Sequence, residues 1–300
     1  MTVVIQRAAA ASGLIGRRVT RMNGAGNEIL ILDLRYADIV PSAREVRAIH
    51  RGAGLAFDQM MVLFKPRNPA SQPFVRIYNN DGGEAGACGN GTRCVAWFLM
   101  RETDAQSLVI ETAAGLLECT REGEFSYCVD MGEPRFGWRD IPLRKKVDDT
   151  RHVDVGAAAI DSRLSEPACL ASMGNPHATF WVSDLRAFDL PAIGPKLETL
   201  AIFPDKANIA LAKIEACDHI ALWVWERGVG ITRACGSAAC AALVNAVRTG
   251  RTNRKARVTL PGGDLTIEWR ESDNRVLMTG PVEFEAEISL GADLFDDDAG

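Results

Sequence analysis

Two stretches of this 300-residue chain follow one plan, and together they limit what it can fold into. Tyr78 to Met100 reads YNNDGGEAGACGNGTRCVAWFLM, and Trp225 to Val247 reads WERGVGITRACGSAACAALVNAV. In the first, the strand-like run Phe74, Val75, Ile77 and Tyr78 breaks into an Asn/Asp/Gly turn, reaches Cys88 and passes into a helix from about Gly91 to Met100. In the second, the apolar strand Ile220 to Trp225 leads through the loop Glu226 to Ala234 to Cys235 and a second helix ending near Val247. Both helices are apolar all round, so each must be buried on every side, wrapped by sheet.

The two segments belong to a longer repeat. Asn27 and Asn175 stand 148 positions apart, Cys88 and Cys235 147, and Gly115 and Gly263 148. Three landmarks in one register argue for duplication into two similar units. Around them the chain reads as mostly strand: Ile29 to Leu32, Met60 to Phe64, Leu108 to Glu111, Leu116 to Thr120, Phe125 to Met131, Arg257 to Leu260, Leu265 to Trp269, Arg275 to Thr279 and Glu283 to Leu290. One further helix has Ser42 as N-cap, Glu45 three residues on as a capping box, and its end by Gly52. Between Gly132 and Arg151 the composition shifts to Pro134, Pro142 and clustered charge, which marks the crossing between units.

Composition narrows the class. With 47% apolar and 24% charged residues, a chain of this length buries a large core. The net charge is -5 and the basic residues are scattered, so no nucleic acid partner is expected. No apolar run approaches the 18 or so residues of a spanning helix. The N-terminal residues 1–16 are read as a flexible leader, and the tail FDDDAG as a solvated end. Eight cysteines in a chain with an ample core suggest reduced thiols. The spacings from Cys88 to Cys94 and Cys235 to Cys240 are too wide for a zinc knuckle, so no metal is expected.

A thiol at a helix mouth has chemical meaning, because the unpaired N–H groups and positive dipole end favour thiolate and bound anion alike. Two such thiols facing each other across a small ligand suit removal of a proton from one side of a carbon and delivery from the other. The paired helix N-termini would hold a carboxylate and stabilise enolate-like charge without a cofactor. The alternative, two small buried cysteines packed in tight glycine turns, stays open for either one alone.

At these residues the sequence resembles the diaminopimelate epimerase family of cofactor-independent, two-cysteine enzymes. The matching motifs are NGAGNE, FDQ, YNNDGGEAGACGNGTRC, MGNPH, FPDKAN and WERGVGITRACGSAAC, in family order from Asn23 to Cys240. The resemblance implies an α+β fold of two pseudo-symmetric domains, each a mostly antiparallel sheet around a central buried helix. The first domain is expected to comprise 17–133 with 281–300, the second 134–280. It also implies interconversion of L,L- and meso-2,6-diaminopimelate in lysine and peptidoglycan precursor synthesis, a cytoplasmic location and a homodimer. Cys235 would take the proton from the L,L substrate and Cys88 would donate on the opposite face. His177 and Glu226 match positions that tune the thiols. Substrate contacts carry over to Asn27, Gln59, Asn79, Asn175, Asn208, Glu226 and Arg227, with backbone contacts at Gly89, Asn90, Gly236 and Ser237. Cys94 and Cys240 are read as core.

The chain departs from the family pattern at Glu28, Ile231 and Ala238, where Asp, Glu and Gly are usual. Two other readings compete. One is a proline or hydroxyproline racemase of the same fold class, for which Arg227 and the several Asn would be surplus. The other is a non-catalytic binding protein or thiol redox protein, although no C-x-x-C occurs.

Overall fold

The computed structural model describes residues 12–295. Its first half contains β1 (Arg18–Asn23), β2 (Glu28–Asp33), α1 (Ala43–Arg51), β3 (Gln59–Phe64), β4 (Phe74–Asn79), β5 (Glu84–Ala85), α2 (Gly89–Met100), β6 (Ser107–Thr112), β7 (Gly115–Gly123) and β8 (Ser126–Asp130). The second contains β9 (Cys169–Ser172), β10 (Pro176–Trp181), α3 (Leu190–Glu198), β11 (Asn208–Ala216), β12 (His219–Glu226), β13 (Gly230–Thr232), α4 (Gly236–Arg248), β14 (Lys255–Leu260), β15 (Gly263–Trp269) and β16 (Val276–Pro281). The last strand, β17 (Glu283–Ser289), returns to pair with β1.

The halves repeat one wiring diagram. β2 runs parallel to β3 across α1, and β10 parallel to β11 across α3. β4 meets β6 in parallel across α2, and β12 meets β14 across α4. A helical crossover is what a parallel junction requires. The remaining junctions are antiparallel, so the fold is the expected α+β arrangement of two sheet-dominated domains.

Burial on both faces follows from period-two alternation. In β2, Ile29 and Ile31 pack with Met61 and Leu63 around the α2 residues Cys94, Val95 and Trp97. Leu30 and Leu32 point the other way and pack with Met60 and Val62 under Val46 and Ile49 of α1. Helix α1 begins at the Ser42–Glu45 capping box and stops at Gly52, as its sequence predicts. In the second half α4 fills the inner core, and α3 covers the outer face with Phe180, Ile209 and Leu211.

The register locates the axis relating the halves. Gly115 and Gly263 open β7 and β15, which makes Cys119 the counterpart of Ile267. Cys119 faces Val129, and Ile267 faces Met278. Val129 and Met278 are therefore counterparts, and they pair with each other where β8 runs antiparallel to β16. A residue pair that maps onto itself lies on a pseudo-twofold axis. Asp130, buried beside it, accepts from Arg275 Nε at 2.5 Å.

Of the segment read as a leader, residues 1–11 lie outside the described residues, as do 296–300 of the tail. Ser12 to Gly16 pack onto the first half: Leu14 is fully buried, Ser12 Oγ donates to Glu45 at 2.5 Å, and the Gly16 amide donates to the Leu290 carbonyl at 2.8 Å.

Away from the axis, the halves also touch backbone to backbone. A Cβ on Gly26, whose φ is +87°, would lie 2.4 Å from the Cα of Gly262. Gly26→Ala is therefore expected to lose about 2–4 kcal/mol, combining left-handed strain with overpacking. Gly250→Ala, at φ +68° in open space, should lose only about 1 kcal/mol. Urea unfolding of both variants checks the difference.

Candidate active site

Cys88 and Cys235 occupy the same position in the two halves, the N-cap of α2 and of α4, with extended backbones at φ -150° and -132°. The Cys88 sulfur accepts the Gly91 amide at 3.2 Å, and the Cys235 sulfur lies 3.6 Å from Ser237 Oγ. A glycine follows each cysteine, and the end of one methionine side chain occupies the space it leaves. A Cβ on Gly89 would lie 2.4 Å from Met278 Cε, and one on Gly236 2.7 Å from Met278 Sδ. One methionine on the axis thus packs against both helix mouths. Asn90 reaches across as well, its Oδ1 being 3.5 Å from the place a Gly236 Cβ would take.

Glu226 is the charge both thiols feel. It lies at the end of β12, partly buried, with Oε1 accepting from Thr232 Oγ1 at 2.6 Å. Burial pushes its carboxyl up, opposed by hydrogen bonds from Thr232 and Cys235, while Asp58 raises it further. Cys88 is half-buried, yet its sulfur is crowded enough that burial pushes the thiol up to about 11; the Gly91 amide opposes this and Glu226 adds to it. Cys235 is buried and is held well above the ordinary thiol value, first by burial and then by Glu226. Both resting thiols are therefore protonated at neutral pH. Burial outweighs the helix-mouth effect expected from sequence.

The polar residues fall into small clusters. Gln59 and Asn79 are partners across β3 and β4, with Nε2 donating to Oδ1 at 3.3 Å. Asn27 precedes β2 with its Oδ1 buried and unpartnered. Its counterpart Asn175 donates to Ser237 Oγ at 3.4 Å and accepts from His177 Nε2 at 2.8 Å. Among the described residues His177 makes no hydrogen bond to either thiol. It is fully buried, orients Asn175, and leaves Nδ1 without a partner. Asn208 is tied to the backbone at both ends of its amide, donating to the Pro176 carbonyl at 2.9 Å and accepting from the Arg227 amide at 3.0 Å. The guanidinium of Arg227 reaches the Asp205 carbonyl at 3.3 Å. Cys94 and Cys240 are wholly buried one turn into their helices.

The described residues contain no group of three or more His, Cys, Asp or Glu that could hold a metal, and no helix long and apolar enough to cross a membrane.

With this geometry in place, comparison with known proteins becomes informative. The family model described as Diaminopimelate epimerase matches residues 19–137 and 169–285. The chain is a member of the diaminopimelate epimerase family. A relative from Afipia carboxidovorans, named Diaminopimelate epimerase, is 53% identical over 283 residues, covering 94% of this chain and 98% of its own. Among solved structures, a predicted epimerase from Pseudomonas aeruginosa has a TM-score of 0.68 at 19% identity, covering 91% of this chain and 99% of its own. A probable proline racemase from Agrobacterium radiobacter has a TM-score of 0.64 at 13% identity, covering 94% of each chain. At such identities these structures show the shared fold.

Two residues at the candidate site of this diaminopimelate epimerase family member escape sequence reading. Thr232 gives no signal beyond its place in the GITRAC stretch. Glu198 of α3 holds the loop carrying Glu226 and Arg227 from both sides, accepting Trp225 Nε1 at 2.8 Å and the Gly228 amide at 2.8 Å. No local motif announces it, because both partners are distant in sequence. Of the departures from the family pattern, Glu28 is absorbed by hydrogen bonds from Arg21 at 3.1 Å and Asn23 at 3.2 Å. Ala238 is buried in α4, and Ile231 is exposed on β13.

Burial, aided by the Arg227 charge, depresses His177 to about 3. The unfolded chain takes up this proton below pH about 6.5 while the folded chain does not, so stability falls between that pH and about 3. The expected loss is on the order of 5 kcal/mol from this group. His177→Gln, which keeps a donor for Asn175, should flatten that stretch of the stability curve, measured by urea unfolding across pH.

Proposed function

We propose that this chain interconverts L,L- and meso-2,6-diaminopimelate, in lysine and peptidoglycan precursor synthesis. The observation that carries the reading is the pair of N-cap thiols at two helix mouths packed on one axial methionine. Around it the polar groups suit a diacid diamine. The first-turn amides of α2 and α4 receive the carboxylate at the reacting centre. Arg227 clamps the distal carboxylate, and Asn27, Gln59, Asn79 and Asn175 supply paired donors and acceptors for the remaining polar groups. Asn208 acts by fixing the Arg227 backbone.

The protons are accounted for as follows. Cys235 passes its thiol proton to Glu226, whose raised affinity for a proton makes it a suitable acceptor. The Cys235 thiolate then takes the α-hydrogen from the L,L substrate, and the electron pair spreads into the carboxylate as an enediolate held by the helix mouths. Cys88, a thiol, donates its proton to the opposite face and becomes the thiolate. The centre is inverted, and the reverse reaction exchanges the two roles. No cofactor enters this account. A proline-type substrate would leave Arg227 and the amides without a distal group to hold. All eight cysteines are free, which suits a reducing, cytoplasmic setting, and the family reading carries a homodimer with it.

The test is deuterium uptake from solvent at the α carbon of L,L-diaminopimelate under reducing conditions. Wild-type protein should exchange and epimerise. Cys88→Ala and Cys235→Ala should each lower epimerisation at least about a thousandfold, because each removes a group that acts directly on the proton. Cys94→Ala should keep turnover and lose about 1–2 kcal/mol of stability. Absence of exchange by the wild-type protein, or turnover retained by either of the first two variants, overturns the reading.

A further inference from the structure

Arg93 lies on α2, one turn below Cys88, and is fully buried. A buried guanidinium ordinarily has a carboxylate to meet it. Among the described residues Arg93 has no ion pair. Its one hydrogen bond runs from Nη2 to Asn90 Oδ1 at 3.0 Å, while Nε and Nη1 are buried without partners. Burial is the largest influence on its guanidinium and opposes the charge; the groups whose charge would favour it are thiols, Cys94 and Cys88 on α2 and its N-cap, Cys240 on α4 and Cys128 on β8. The backbone of β16 gives way to it, since a Cβ on Gly280 would lie 3.1 Å from Arg93 Cζ. Asn90, which Arg93 holds, extends toward Gly236 at the mouth of α4. The cation therefore stands behind both helix mouths and is tied to the side chain that spans them.

We propose that Arg93 is a positioning residue for the reaction: its buried, unpaired charge lies behind the two helix N-termini, favours the Cys88 thiolate and the enediolate above it, and fixes Asn90 across the cleft. The claim about turnover rests on the epimerase reading, whereas the claim about Cys88 can be read directly. Placing fixed positive charge where negative charge develops is worth most in a site closed to water. The other charges that bear on Cys88 come from Glu226 on β12, which opposes ionisation, and the Gly91 and Asn90 amides of α2, which favour it.

The test separates charge from packing, because a buried charge replaced by an apolar side chain of similar length commonly leaves stability unchanged or raised. In a Cys235→Ser background under reducing conditions, iodoacetamide modification of Cys88 is followed against pH by peptide mass spectrometry, which distinguishes Cys88 from the exposed Cys217. Arg93→Met is expected to melt at or above the parent temperature and to be modified at Cys88 at least about tenfold more slowly at pH 9. Built into the enzyme with both cysteines, it should lose about a hundredfold in kcat/KM for α-proton exchange. Arg93→Lys, which keeps a cation without the fork, should restore the pH dependence of Cys88 modification while turnover stays reduced. Parent-like modification of Cys88 in Arg93→Met overturns the proposal, as does a shifted profile in Arg93→Lys. If Arg93→Met does not fold, the profile of Arg93→Lys decides alone. Failure of the wild-type protein to exchange the α-proton would instead overturn the epimerase reading and leave the Cys88 profile to judge the charge.

Discussion

Everything about the site depends on how closely two buried helices can approach the same side chain. The end of the Met278 side chain packs against the first turns of α2 and α4, and a Cβ on Gly89 or Gly236 would have to push it aside. The glycines therefore do more than terminate a loop. They let two backbones close on one methionine, with a cysteine at the N-cap of each helix. The surrounding sheets, with β8 and β16 paired at the axis, hold that spacing as a single packed unit.

Much of this was legible in the sequence, for physical reasons that differ from part to part. The wrapped helices were visible because Val95 to Leu99 and Ala238 to Val247 have no polar stripe, and the repeat because glycines and asparagines recur in one register. Helix α1 announced itself through a local motif, Ser42 with Glu45. Helix α3 did not: Pro191, Gly194 and Pro195 argue against a helix, yet Asp189 caps it by accepting the Ala192 amide, and Gly194 is there because the Trp225 ring lies 2.5 Å from where its Cβ would be. Tertiary packing decided that segment, and no window of sequence contains the tryptophan. Among site residues, those in long motifs were found; Thr232 sits inside one and bonds Glu226 six residues away, whereas Glu198 acts through partners that only the fold brings near.

The electrostatics correct a simpler expectation. A thiol at a helix N-terminus is a familiar route to thiolate, but here desolvation is the larger effect at both cysteines. The resting site stores two protons on sulfur and keeps a carboxyl, Glu226, beside one of them. In the proposed reaction, starting from two thiols and moving one proton to Glu226 supplies an acid and a base at once.

The pairing of β8 with β16 has a consequence for the asymmetry of the chemistry. A self-complementary strand pair is what joins two identical subunits, and in such a dimer both thiols would be compelled to share one environment. Carrying the two copies on one chain removes that obligation. Both thiols feel Glu226, but Cys88 also has a buried arginine for company, while Cys235 has Glu226 as a hydrogen-bond partner and Ser237 beside it. A tetrahedral carbon bearing four different groups offers unlike faces, and under the proposed reaction tandem fusion lets each face meet a partner with its own acidity.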